Sequence, residues 1–125
     1  MSNNELCLNE KSTIESLNDI SASLLIIFDD NCTRESDPVK LKKILLANHK
    51  TGKITLLSST IVDAIKRVSS DGYVVENLSR DNYREIYTPL ICDVKYLRDY
   101  YKKFEYWNLH KFISLHNEKL EILAV

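Results

Sequence analysis

The run Leu24-Leu25-Ile26-Ile27-Phe28 passes directly into two adjacent carboxylates, Asp29 and Asp30. No other stretch limits the fold so much. A short, continuously apolar run rich in branched residues suits a strand covered on both faces, as in a parallel sheet flanked by helices. Acids at the tip of such a strand lie on the rim where open α/β sheets hold ligands. Asp29 and Asp30 are therefore the first candidate site residues, with a turn or helix cap as the alternative use of a strand-terminal Asp.

The elements around this strand follow from periodicity and caps. Glu5-Leu6-Cys7-Leu8 can form a short edge strand, and Ser12 with Glu15 has capping-box spacing ahead of Ile14, Leu17 and Ile20. Asp37-Pro38 opens a helix, the Asp as cap and the Pro at the first helical position, with Val39, Leu41, Ile44, Leu45 and Ala47 as its apolar stripe. Lys53 to Leu57 reads as a second strand. Ser58, Ser59 and Thr60 then cap a predicted helix carrying Ile61, Val62, Ile65 and Val68. Tyr73-Val74-Val75 is a third strand, and a further helix is predicted from Arg80 to about Tyr87.

Gly52 and Gly72, the two glycines of the chain, each fall between a predicted helix and the next strand, where a left-handed helix end needs them. The alternation predicts an α/β protein: a parallel sheet with helices on both faces, flavodoxin-like, built from right-handed βαβ units. From Thr88-Pro89 onward the texture changes to a C-terminal helical extension. Its apolar positions are Ile91, Val94, Leu97, Tyr101 and Phe104, and Leu120 to Val125 closes the chain as a strand or a docked segment. One domain over residues 1–125 is expected.

Charge and cysteine usage narrow the function classes. Lys plus Arg number 17 and Asp plus Glu 18, so the molecule lacks the general basic excess that marks nucleic-acid or anionic-lipid binding. No apolar run approaches the roughly 20 residues of a membrane span. The start, Met1-Ser2-Asn3-Asn4-Glu5, has no basic region and no apolar core, and a cytoplasmic protein without a membrane role is expected. Cys7, Cys32 and Cys92 are widely spaced and contain no CxxC pair, which suits reduced thiols. His49, His110 and His116 lack zinc-ligand spacing with any of them. Two glycines leave no phosphate-cradling loop, which excludes Walker-type and Rossmann-type motifs.

Two groups of residues could carry chemistry. The predicted elements bring Asp29, Asp30, Asp63 and Glu76 toward one rim, an acidic set that would take magnesium if it takes any cofactor. The segment Lys95 to Lys111 interleaves five Lys or Arg residues with six aromatics. Tyr96, Tyr100, Lys102, Lys103, Tyr106 and Trp107 are its candidate interaction residues. Such a pattern serves a single-stranded nucleic acid or a protein contact. A protein partner is the favoured one, with a homodimer expected if the rings are exposed. The same spacing also describes an amphipathic helix with its rings in the core.

Residues 12–91 resemble the receiver domain of bacterial response regulators, particularly those of LuxR-type regulators. The stretch DGYVVENLSRDNYREI carries most of the likeness. In one register Leu24 to Asp29 looks like the strand ending in the phosphoacceptor aspartate, and Ile54 to Ser58 like the strand ending in the switch hydroxyl. The resemblance then implies Asp29 as acceptor, Ser58 or Ser59 as switch, and Glu76 where the family has lysine. In a rival register LLIIFDDN is the family's first strand, with Asp29 and Asp30 as its acid pair. The implied function is a non-catalytic regulatory or protein-interaction module, with residues 92–125 as an aromatic-rich addition. FDDN followed by GKITLLSSTIVDAI is similar to the opening of PIN-domain nucleases, which implies Asp29 and Asp63 as magnesium ligands for RNA cleavage. A small inhibitor or immunity-type binding protein is the third reading.

Overall fold

The computed structural model describes residues 4–31, 37–61, 65–79 and 82–125. Strand β1 (Glu5–Leu8) is followed by one 3₁₀ turn (Ile14–Leu17), strand β2 (Leu24–Asp29) and helix α1 (Pro38–Asn48). Strands β3 (Ile54–Thr60), β4 (Ile65–Val68), β5 (Val74–Leu78) and β6 (Arg84–Asp93) come next. Helices α2 (Val94–Tyr101) and α3 (Leu109–Leu115) and strand β7 (Leu120–Ala124) complete the order.

Five strands form one sheet in the order β1-β2-β6-β3-β7, and β4 with β5 forms a separate two-stranded hairpin. β1 pairs parallel with β2, and β3 parallel with β7. The central strand β6 runs antiparallel to both of its neighbours. Four strands of the sheet thus share one direction, and the all-parallel expectation gives way to a mostly parallel, mixed sheet.

Both faces of the sheet are covered, as the apolar run of β2 requires. Leu41 and Leu45 of α1 pack on Ile26, Leu57, Tyr87 and Ile91. On the other face Leu97, Tyr100 and Phe112 of α2 and α3 pack on Leu25, Ile27, Leu56, Leu90 and Cys92. Odd and even residues of β2 serve opposite layers, as the pleat dictates. α1 starts where its sequence says it should. The Asp37 carboxylate accepts from the backbone N–H groups of Val39 and Lys40, and Pro38 follows it at the first helical position.

Two predicted helices are replaced by strands. In the helix expected after Thr60, residues 62–64 lie outside the described residues, and 65–68 form β4. β4 turns back into β5 through Ser70-Asp71-Gly72, with Gly72 at φ +88°. An Asp-Gly turn between short β-branched segments is a hairpin signal, and it prevails over the accidental helical spacing of Ile65 and Val68. Gly72 therefore serves the hairpin turn, whereas Gly52 at φ +82° does lie between α1 and β3. The helix expected at 80–87 is replaced, in its described part, by the start of β6, whose residues 87–92 are buried. Pro89, which follows a cis peptide bond, lies at the irregularity in the β3–β6 register, between the pairs Leu57↔Tyr87 and Thr55↔Ile91. A residue without an N–H is tolerated there because the regular ladder is interrupted.

Candidate functional site at the end of the central strands

The registers place the ends of β1, β2 and β3 beside the start of β6, so one rim collects Asp29, Asp30, Ser58, Ser59, Arg84 and Thr88. Asp29 is 4% exposed. Its backbone N–H donates to Oγ1 of Thr88 (2.9 Å), Oδ1 accepts from the N–H of Asn31 (2.8 Å), and Oδ2 accepts from Nε1–H of Trp107 (2.6 Å). The Asn31 bond is an Asx-type turn, the local use of a strand-terminal Asp anticipated from sequence. Asp30 is exposed, and its backbone N–H reaches the carbonyl of Leu8 (3.0 Å).

On the neighbouring strand Ser58 is fully buried. Its Oγ donates to the Leu123 carbonyl (3.1 Å) and accepts from Nε of Arg84 (2.7 Å), while a second Arg84 nitrogen lies 3.5 Å from the Ser58 carbonyl. Ser59 is also buried and pairs with Glu85. The structure thus brings Asp29, Asp30, Ser58 and Ser59 to one rim. Glu76 is elsewhere, on β5, where it faces Nε of Arg67 on β4 at 3.4 Å. Asp63 lies outside the described residues. No three His, Cys, Asp or Glu side chains among the described residues are grouped to hold a metal ion.

Much of the aromatic segment is interior. Tyr96, Tyr100 and Trp107 are buried, leaving Lys102, Lys103 and Tyr106 as the exposed members of the candidate interaction set. Tyr100 is the hub: its ring centroid lies 4.9 Å from Phe104, 5.5 Å from Trp107 and 6.0 Å from Phe112. Its hydroxyl donates to the Tyr106 carbonyl, and burial raises its pKa. The Tyr101 phenol is pushed up to about 12, first by burial and then by Tyr100. Burial likewise pushes up the Cys92 thiol, with Asp93 adding to the shift.

At the other end of the sheet His116 donates from Nε2 to the Tyr96 carbonyl (2.8 Å), the one sense open to a carbonyl partner. A recess of about 460 Å³ lies there between Tyr96, Asp99, His116 and Glu118. Two rim residues, Arg84 and Thr88, lie outside the candidates read from the sequence, and Trp107, a candidate for an interaction surface, is instead buried and bonded to Asp29. Trp107 carried the most usable signal, because a buried indole N–H has to find an acceptor.

No protein-family model matches the sequence. No curated protein matches it either. Solved structures do. The 4-diphosphocytidyl-2C-methyl-D-erythritol synthase of Anaerococcus prevotii superimposes with a TM-score of 0.66 at 20% identity, over 88% of this chain and 52% of that one. The 2-C-methyl-D-erythritol 4-phosphate cytidylyltransferase of Thermus thermophilus gives 0.65 at 15% identity, over 88% and 55%. Its Francisella tularensis counterpart gives 0.55 at 16%, over 87% and 55%. The chain spans about half the length of these structures. At such identities the likeness establishes the fold, which is the one these enzymes share across that half.

These matches overturn the receiver and PIN resemblances, and with them the reading as a non-catalytic signalling module. The inhibitor or immunity-type reading does not fit them either. The physical reason is visible in the topology. Of the stretch that carries most of the receiver likeness, Asp71 to Leu78 lies in a hairpin outside the main sheet and Arg84 to Ile86 begin the sheet's middle strand, which is antiparallel to its neighbours. Among the described residues no helix is long and apolar enough to cross a membrane.

Proposed function

We propose that this chain takes part in cytidylyl transfer to a phosphorylated polyol of the 2-C-methyl-D-erythritol 4-phosphate type. The observation that carries the reading is the superposition of nearly nine tenths of the chain on enzymes named for that reaction. It is support by likeness of fold, and the rim adds chemistry to it. Carboxylates at the end of β2 and the Arg84 guanidinium at the start of β6 share one end of the sheet. Both glycines are used in turns, so phosphate groups would be held by cationic side chains rather than a glycine loop. Magnesium is the metal proposed here. It is commonly held by one or two carboxylates together with substrate phosphates, a mode that needs no all-protein cage.

Self-association is part of the same proposal, and its surface is the hairpin, because Tyr100 and Trp107 are interior. Val68, Tyr73, Val74 and Val75 are all exposed there.

The test is phosphorus NMR of the protein with cytidine triphosphate, magnesium and 2-C-methyl-D-erythritol 4-phosphate, alongside calorimetry with each ligand alone. Formation of a diphosphate ester, or saturable binding of either substrate, supports the reading. Neither product nor binding by correctly folded protein removes it.

A further inference from the structure

Charge is unevenly placed along this chain. Residues 38–60 hold Lys40, Lys42, Lys43, Lys50 and Lys53, and none of the 18 Asp and Glu. The segment comprises α1, the turn at Gly52 and β3. The near balance of the whole chain, which speaks against a lipid contact, averages over this local excess.

Helix geometry gathers much of the excess on one face. α1 turns Leu41 and Leu45 toward the sheet, and Val39, Lys40, Lys43, Leu46 and Ala47 are exposed on its other side. Val39 is 55% and Leu46 54% exposed. Leu46 follows Val39 by two turns, about 10 Å along the axis, with Lys43 between them. At the flanks Lys42 pairs with Glu5 at 2.6 Å and Lys50 with Glu121 at 3.3 Å, the Lys50 side chain staying 71% exposed. Lys40 and Lys43 have no ion pair among the described residues.

The residue types point to one kind of partner. Lysine is a compact charge on a flexible apolar stem, which suits a surface of dispersed anions, whereas the guanidinium fork of arginine matches single phosphates. This face has no arginine and no aromatic ring, so it lacks the groups that fork onto phosphates or stack on bases. It does expose two aliphatic side chains, which gain from an apolar medium.

We propose that the outward face of α1 docks on an anionic lipid bilayer, with Lys40, Lys43 and Lys50 among the headgroups and Val39 and Leu46 at the boundary of the acyl chains. The acids all lie outside this segment, and their repulsion by the same bilayer selects one orientation. The inference does not depend on the nucleotidyl-transfer reading.

The test is sedimentation of the whole chain at low ionic strength with sucrose-loaded vesicles, one set of phosphatidylcholine alone and one with phosphatidylserine added to about a third of the lipid. The wild type sediments with the mixed vesicles, stays in solution with phosphatidylcholine, and is released by salt. Lys40→Gln with Lys43→Gln weakens binding roughly thirtyfold, about fivefold for each lysine. Val39→Ser with Leu46→Ser weakens it by about tenfold. Lys11→Gln with Lys119→Gln makes the same change of charge at exposed positions outside α1 and leaves binding unchanged.

A wild type that ignores the mixed vesicles overturns the proposal, as does an equal loss in the Lys11 and Lys119 variant, which would make overall charge the cause. Full binding by the Val39 and Leu46 variant overturns the insertion of aliphatic groups. Tighter binding to single-stranded polyuridine RNA than to the vesicles overturns lipid as the occupant. The comparison of the two vesicle sets uses wild-type protein, so a variant that fails to fold does not prevent the decision.

Discussion

The Tyr96 hydroxyl donates to the Gly52 carbonyl at 2.7 Å, joining the first turn of α2 to the turn that separates α1 from β3. The Tyr96 carbonyl in turn accepts from His116, so one residue ties three segments together. Tyr96→Phe removes the hydroxyl and keeps the ring in the core. The expected loss is about 1 kcal/mol, typical of a single hydrogen bond. Gly52→Ala meets no atom within 4 Å but must adopt φ +82°, and should cost about 1 kcal/mol through backbone strain alone. Urea unfolding of both variants checks this. A neutral Tyr96→Phe would mean that water replaces the phenol.

Asp37 offers a local test. Its carboxylate satisfies two otherwise open N–H groups at the start of α1, at 3.0 and 3.4 Å. Asp37→Ala should destabilise by about 1 kcal/mol, and Asp37→Asn by much less. The pair of variants separates hydrogen-bond capping from the interaction of a negative charge with the helix end. If the Asn variant loses as much as the Ala variant, charge is the larger effect.

What could be read from the sequence follows from how local each interaction is. The apolar run of β2, the Asp37-Pro38 start of α1 and the last strand are specified by residues within a few positions of each other, and all are found. The hairpin is less legible for a different reason: Ile65 and Val68 fit a helical face as well as a strand, and Asp71-Gly72 is the local signal that decides between them. β6 was hidden by Pro89, which reads as a helix start and instead lies in a buried strand where the ladder is irregular. At the rim, Asp29 and Asp30 are legible in the sequence because acids at the end of an apolar run stand out locally. The indole that holds Asp29 is 78 residues away, and no local pattern reports such a contact.

The tyrosines give stability a pH dependence at the alkaline end. Burial favours the neutral phenol, so Tyr101 has a folded pKa of about 12 against an ordinary 10.0, and Tyr100 shifts in the same direction. The unfolded chain releases these protons first. Their contribution is therefore complete below about pH 10 and is lost as pH rises from 10 toward 12. Urea midpoints measured from pH 8 to pH 12 should fall over that interval, and Tyr101→Phe should flatten the decline. A curve of unchanged slope in Tyr101→Phe would assign the alkaline loss to other groups.

Thiol reactivity should separate Cys7 from Cys92. Cys7 is exposed on β1, whereas Cys92 is fully buried in β6 and its thiol pKa is raised, first by desolvation and then by Asp93. The thiolate is the reactive form, so burial suppresses Cys92 both by access and by ionisation. In a Cys32→Ser background, one equivalent of a disulfide reagent should react promptly at pH 8 and a second only in denaturant. Two fast equivalents in native protein would show that β6 opens readily.

The hairpin of β4 and β5 supplies the last test. A two-stranded ribbon is marginal by itself in water, and this one leaves Tyr73 74% exposed beside Val68, Val74 and Val75. Its ion pair among the described residues, Arg67 with Glu76, is solvent-exposed and contributes little. Apolar surface of this kind, on a projection with little support from the main sheet, is stabilised when a second molecule covers it. At tens of micromolar, light scattering should therefore report twice the 14.5 kDa of one chain. Tyr73→Ser combined with Val75→Ser should return the mass to that of one chain while leaving the melting temperature of the main sheet little changed. A wild-type protein that is monomeric throughout this range excludes the hairpin as a contact between copies, and its apolar residues would then have to be explained by another partner.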